Sequence, residues 1–256
     1  MAASLAIALK SLFAVSGCLI TATVIYTVAT EGLPFGKEPV TPLMAATLID
    51  IYIFMFVIGC WVVYKESNWT TAILWAVLLV CLRSITACGY IVLQFLKLST
   101  KESLQDPIYF VLLRRHKKTE TEQRRKCSLL TAKILSLALG SLMLGTLIYI
   151  FVTYGSPFCR DAFTPWMSAI QVDFFVSVVV FSVWIAYKES SWLSAAFWII
   201  PTILVGSIAT CPYIALQLFS LSSQDPIDLV LFSSRNREEI EGMKEPLRQR
   251  TSERVN

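Results

Sequence analysis

Asp50, Arg83 and Asp173 each fall inside a long apolar stretch of the chain. A charge at hydrocarbon depth costs about 3 kcal/mol even on the mildest scale, and it is typically retained for an ion path, a proton relay or an internal ion pair. The two aspartates are therefore candidates to hold a small cation or proton, and Arg83 is a candidate to keep one of them ionised. An equally weighted reading makes the three a structural ion pair between helices, or aspartates hydrogen-bonded to nearby Ser and Thr. Two more charged pairs, Lys65 with Glu66 and Lys188 with Glu189, lie where apolar stretches end, in "YKESNW" (64–69) and "YKESSW" (187–192). They read first as membrane-edge turns and second as carboxylates guarding the mouths of a path.

The elements that must position these residues follow from composition. With 55% hydrophobic and 16% charged residues and a mean hydropathy of +0.63, the chain is too apolar for an ordinary soluble domain. Apolar stretches at 11–29, 43–64, 70–96, 132–152, 166–187 and 192–219 each approach or exceed the ~20 residues needed to cross a bilayer core. The expectation is an all-α polytopic membrane protein with six transmembrane helices. The first stretch also has the look of a secretory signal behind Lys10, but its internal look-alike at 132–152 favours a retained helix.

The two hexapeptides are one register of a duplication. Adding 123 converts Asp50 to Asp173, Trp61 to Trp184, Trp75 to Trp198, Cys88 to Cys211, Tyr90 to Tyr213 and Gln94 to Gln217. "PF" and "TP" repeat upstream, and "QDPI" repeats downstream at 105–108 and 224–227. Three spans per unit is an odd number, so the second unit is expected to be inverted about an axis in the membrane plane, with Asp50 and Asp173 at opposite depths. Arg83 has Gly206 as its counterpart, which breaks the repeat at a buried charge. The organisation is then a first three-helix repeat (1–100), a basic loop with a short interfacial helix (101–128), a second three-helix repeat (129–221), a short interfacial helix (222–232) and a disordered polar tail (233–256).

Local signals refine these elements. Lys65 and Lys188 suit the C-terminal ends of their own helices, and Glu66 with Ser67, and Glu189 with Ser190, suit the starts of the next ones. Trp61, Tyr64, Trp69 and their repeats read as interfacial anchors. Asp106 and Asp225 are good N-caps, followed by Pro107 and Pro226 at the first helical position. Pro212, where the first unit has Gly89, is expected to bend or break the sixth helix. Residues 101–126 carry eight Lys/Arg, which places the central loop in the cytoplasm and both termini on the other side, although the tail from Ser233 carries six.

Several functions have no support in the sequence. The seven cysteines show no CxxC spacing and read as small apolar residues, the one histidine, His116, sits in "RRHKK", and no nucleotide loop or nucleophile–base motif occurs. No cofactor, metal site or nucleic-acid partner is expected, and the oligomeric state is left open.

On the pattern of Asp50, Trp61 and "YKES" with its repeat, together with "CPY" (211–213) and "QDPI", the chain resembles a plant family of duplicated multi-pass membrane proteins known only as a domain of unknown function. Each half is also similar to small bacterial three-helix membrane proteins that have an Asp in the second helix, a Glu at its end and a Pro late in the third. The matching positions are Asp50 and Asp173, Glu66 and Glu189, and Pro212, with Gly89 departing from the pattern. The resemblance covers most of residues 10–232 and implies the fold and an endomembrane or plasma-membrane location, but no activity. Three readings remain: a small-solute or ion transporter using Asp50 and Asp173, a membrane-embedded enzyme acting on a lipid or isoprenoid, and a non-catalytic scaffold. The absence of catalytic motifs weighs against the enzyme.

Overall fold

The computed structural model describes residues 2–32, 41–113, 122–154, 164–221 and 227–232. Among these residues all regular structure is helical: α1 (Ala2–Glu31), α2 (Pro42–Lys65), α3 (Trp69–Leu82), α4 (Ser84–Leu96), α5 (Thr100–Gln105), α6 (Pro107–Leu112), α7 (Glu122–Tyr154), α8 (Pro165–Lys188), α9 (Trp192–Val205), α10 (Ser207–Phe219) and a 3-10 turn, Ile227–Leu231. Four helices are long and apolar enough to cross a membrane, over Ser4–Glu31, Pro42–Lys65, Leu129–Tyr154 and Pro165–Lys188. Among the described residues the protein is all-helical, with long apolar helices of the kind that membrane proteins have. Asp225, Pro226, His116 and the tail 233–256 lie outside the described residues.

The stretches expected as third and sixth spans are not single helices. Each is split at equivalent positions, Arg83 and Gly206, and folds back on itself. The Trp75 and Tyr90 rings lie 4.9 Å apart, whereas a continuous helix would separate those positions by about 22 Å. In the second unit Trp198 meets Tyr213 at 5.1 Å. Hydrogen bonds tie the arms near each tip, from Thr86 to the Leu78 carbonyl at 3.0 Å and between the Thr202 and Thr210 hydroxyls at 3.2 Å. The reversal has a backbone cause. Arg83 adopts φ 46°, ψ −120° and Gly206 adopts φ 59°, ψ −127°, the geometry of the first central residue of a type II′ turn.

The expected break at Pro212 is therefore corrected. Pro212 lies within α10 and the break precedes it, at Gly206. Proline's ring holds φ near −65° and cannot supply a left-handed turn. Pro212 instead faces Gly140 of α7, where an added Cβ would meet its Cδ at 3.6 Å and the Cys211 Cβ at 3.1 Å. Gly17 makes the equivalent close approach to Cys88, at 3.3 Å. These small residues bring α4 against α1 and α10 against α7.

A hairpin ends where it began, which also overturns the inverted arrangement. Lys65, at the end of α2, bonds carbonyls of α6, and Tyr187, at the end of α8, donates to Asp106 beside α6 at 3.3 Å. Tyr109 of α6 stacks near Phe232 at 5.0 Å. Both hexapeptides thus sit at one end of the bundle, α2 and α8 run parallel, and the pseudo-two-fold axis lies along the helices. The early part of α1 joins that same end, with Leu9 and Phe13 packed against Phe95 and Val111. The N-terminus and the central link therefore share a side, contrary to the expectation from six crossings.

The 101–128 loop is more ordered than expected, because α5 and α6 occupy its start and α7 begins at Glu122. Asp106 caps α6 through the Tyr109 amide at 3.2 Å, with Pro107 at the first helical position. Thr41 and Thr164 cap α2 and α8 in the same way. In a cysteine-free background, Ser67→Cys and Ser190→Cys are expected to react with an impermeant maleimide from one side of sealed vesicles, and Thr30→Cys from the other. Labelling of Ser67→Cys and Ser190→Cys from opposite sides would restore the inverted arrangement.

Candidate functional site

The hairpin tips and the buried aspartates reach the same depth. Asp50 precedes Lys65 by 15 residues, about 22 Å of helix, and α3 descends for 14 residues, about 21 Å, at 1.5 Å per residue. The contacts cross between units. Asp50 of the first unit meets the second unit's tip and accepts the Ser207 amide at 2.8 Å. Asp173 of the second unit meets the first unit's tip and pairs with Arg83, Oδ2 to Nε, at 2.7 Å. Both aspartates are buried. Their parallel helices place them at equal depth, not at the opposite depths that inversion would give.

The two half-sites share a backbone and differ in chemistry. At Gly206 an added Cβ would fall 1.9 Å from Asp50 Oδ2 and 2.9 Å from the Phe174 ring. Asp50 therefore occupies the space that a side chain would need, and it caps the first amide of α10 as an N-terminal acceptor. At the other tip the Arg83 side chain is present, and Asp173 pairs with it instead of with an amide. A non-glycine residue in this conformation costs about 1–3 kcal/mol, which the ion pair can offset. Ser84, next to Arg83, donates to the Asp173 carbonyl at 3.1 Å and lies 2.9 Å from the Ser177 hydroxyl. Asp173 Oδ1 is buried with no hydrogen-bond partner among the described residues.

The hexapeptide charges have a different task. Lys65 Nζ donates to the carbonyls of Phe110, Val111 and Leu113, the last at 3.0 Å. Lys188 Nζ donates to Leu229 at 3.3 Å and Phe232 at 2.6 Å. Each lysine closes the C-terminal end of the short element after "QDPI", and not only the end of its own helix. Each glutamate holds its unit's hairpin: Glu66 accepts from Tyr90 at 2.8 Å and Thr71 at 3.2 Å. Glu189 accepts from Tyr213 at 2.8 Å, Gln217 at 3.2 Å and Ser194 at 2.5 Å. The expected caps on α3 and α9 are replaced by these bonds, since neither Asn68 nor Ser191 makes a side-chain cap. Trp69 and Trp192 are exposed as interfacial anchors should be, whereas Trp61 and Trp184 pack edge-on against Tyr90 and Tyr213.

The same contacts therefore occur twice, in the same order, in each half. A family model described as a protein of unknown function (DUF1475) matches twice, over residues 1–119 and 118–238. The chain belongs to this family. No curated protein and no solved structure matches it. One DUF1475 unit comprises two long helices, a folded-back hairpin and a short element clamped by the lysine of "YKES". The match boundaries place α5 and α6 with the first unit, in keeping with their packing on α1 and α4.

Ser84, Ser177 and Ser207 were not singled out by number from the sequence. Ser84 and Ser207 each follow a break that is invisible until the fold is known, and Ser177 stands four residues after Asp173 within α8. Gly206→Ala tests the geometry. It introduces a clash and a left-handed non-glycine residue, and should lower stability by at least about 2 kcal/mol. Tryptophan-monitored thermal unfolding in detergent would read this as a lower midpoint, and an unchanged midpoint would refute the contact with Asp50. Lys65→Met should expose α6 to amide exchange, as carbonyls lose charge-assisted bonds worth about 1.5–3 kcal/mol each.

Proposed function

We propose that the protein is a membrane carrier for a small solute or ion, with Asp50, Asp173 and Arg83 at its centre. The observation that carries this reading is the meeting of two folded-back hairpins with two buried carboxylates and a guanidinium, roughly midway along the long helices. Non-helical backbone at hydrocarbon depth is tolerated where it is enclosed by protein or lines a cavity. Interrupted helices with charges beside them are a recurring way to bind cargo in a bilayer.

On this reading four helices span the membrane and the hairpins enter from one side and return to it. That side is cytoplasmic. Of the 22 Lys/Arg, the connections 32–41 and 155–164 at the opposite end hold only Lys37 and Arg160, so the positive-inside rule is met with the central link, both termini and both hexapeptides on one face. The two basic segments, which conflict under six spans, agree under four. Lys65, Glu66, Lys188 and Glu189 then act as structural clamps at the cytoplasmic edge. Asn68, in the sequon Asn68-Trp69-Thr70, stays unglycosylated.

The Asp→Asn exchanges test the carrier while nearly preserving shape. In proteoliposomes, Asp50→Asn should lower flux of the transported solute by about tenfold or more, a barrier change of at least about 1.4 kcal/mol. Asp173→Asn should have a different effect, because Arg83 accompanies only that carboxylate. Undiminished flux in both variants, or conversion of a lipid with no flux of any solute, would remove the carrier reading.

A further inference from the structure

Internal symmetry supplies a comparison that a single site would lack. The same carboxylate, from the same position of a long helix, reaches the same point of the opposite hairpin in both halves. In one half a guanidinium is already there, 2.7 Å from Asp173. In the other half, among the described residues, no Lys or Arg pairs with Asp50. Asp50 is buried, and a carboxylate in such surroundings needs either a counter-charge or a proton. One amide hydrogen bond from Ser207 stabilises the charge but does not neutralise it. The buried Ser207 hydroxyl, on the residue whose amide Asp50 accepts, has no hydrogen-bond partner among the described residues and is a second oxygen at that point.

Residue 83 carries a further clue. Its backbone conformation is the one that Gly206 adopts, and φ of 46° is unfavourable for any side chain. An arginine is thus held at a position built for glycine, where its guanidinium pairs with one oxygen of one of two equivalent carboxylates.

We infer that Asp50, with the Ser207 hydroxyl, is the single exchangeable cation site of the protein, taking one small monovalent cation (a proton or an alkali-metal ion), and that Arg83 is the built-in substitute for that cation at Asp173. Arg83 thereby sets the number of cations bound per chain. The inference rests on the carrier reading for its purpose, though not for its measurement.

The test uses the full-length protein in nanodiscs, titrated in turn with radiolabelled sodium and rubidium, while infrared difference spectra record protonated carboxyl groups. The wild type should show one saturable site, either as a bound alkali ion or as one protonated carboxyl, and these two arms tell the cation's source. Asp50→Asn should abolish it. Arg83→Gly, which suits the backbone and frees Asp173, should gain a second site of the same kind. Adding Asp173→Asn to Arg83→Gly should return the number to one, and this double variant carries the Asp50-only result without leaving a guanidinium unpaired. A site that survives in Asp50→Asn, an Arg83→Gly protein with no second site, or a wild type with no site in either arm would overturn the inference. The two proposals fail separately. A site obeying these variants without any flux removes the carrier and keeps the site, whereas flux by a wild type that shows no site in either arm removes the site and leaves a carrier of another cargo.

Discussion

The rest of the structure depends on the need to satisfy backbone polar groups at hydrocarbon depth. A helix that turns back inside a membrane strands carbonyls on one arm and amides on the other, with no water to receive them. Here each turn is enclosed by the partner unit. The Asp50 carboxylate takes an amide of the second unit's tip, while Ser84, at the first unit's tip, reaches the Asp173 backbone carbonyl. The two units are therefore tied at both tips, by a carboxylate on backbone at one and by a carboxylate on a guanidinium at the other.

The lysine–glutamate pairs do at one end of the bundle what the aspartates do at the hairpin tips. A single charged dipeptide ends a long helix and sends its two side chains in different directions, the lysine to a short element after the hairpin and the glutamate to the returning arm. The tyrosine that donates to the glutamate also stacks against two tryptophans, one from the long helix and one from the descending arm. Hydrogen bond and aromatic packing thus fix one ring from both ends. This explains why two polar hexapeptides stand in so apolar a chain: each is the junction at which three elements of a unit are tied together.

Against that symmetry, Arg83 and Gly206 are the point of difference. The backbone turn is the same, but at one tip the space holds a side chain and at the other it holds the opposing carboxylate itself. One aspartate has a cation and the other has an amide. The asymmetry is electrostatic, while the scaffold around it remains duplicated.

By itself the sequence determined the class, the duplication and the two buried aspartates, because hydropathy, a fixed offset of 123 and the rarity of ionisable residues in apolar stretches are all one-dimensional signals. It also marked the cap at Asp106, where a polar side chain followed by proline acts locally, whereas the equivalent caps at Thr41 and Thr164 were visible only as a repeated "TP". It could not separate a continuous span from a hairpin. Fourteen plus thirteen helical residues have the length of one crossing, and the residue at the first turn is an arginine, which has no turn preference to read. That one ambiguity changed the direction of the second unit and the relative level of the two aspartates along the helices. Only tertiary packing resolved it, because the residues that meet each tip from the other unit lie more than 80 positions away.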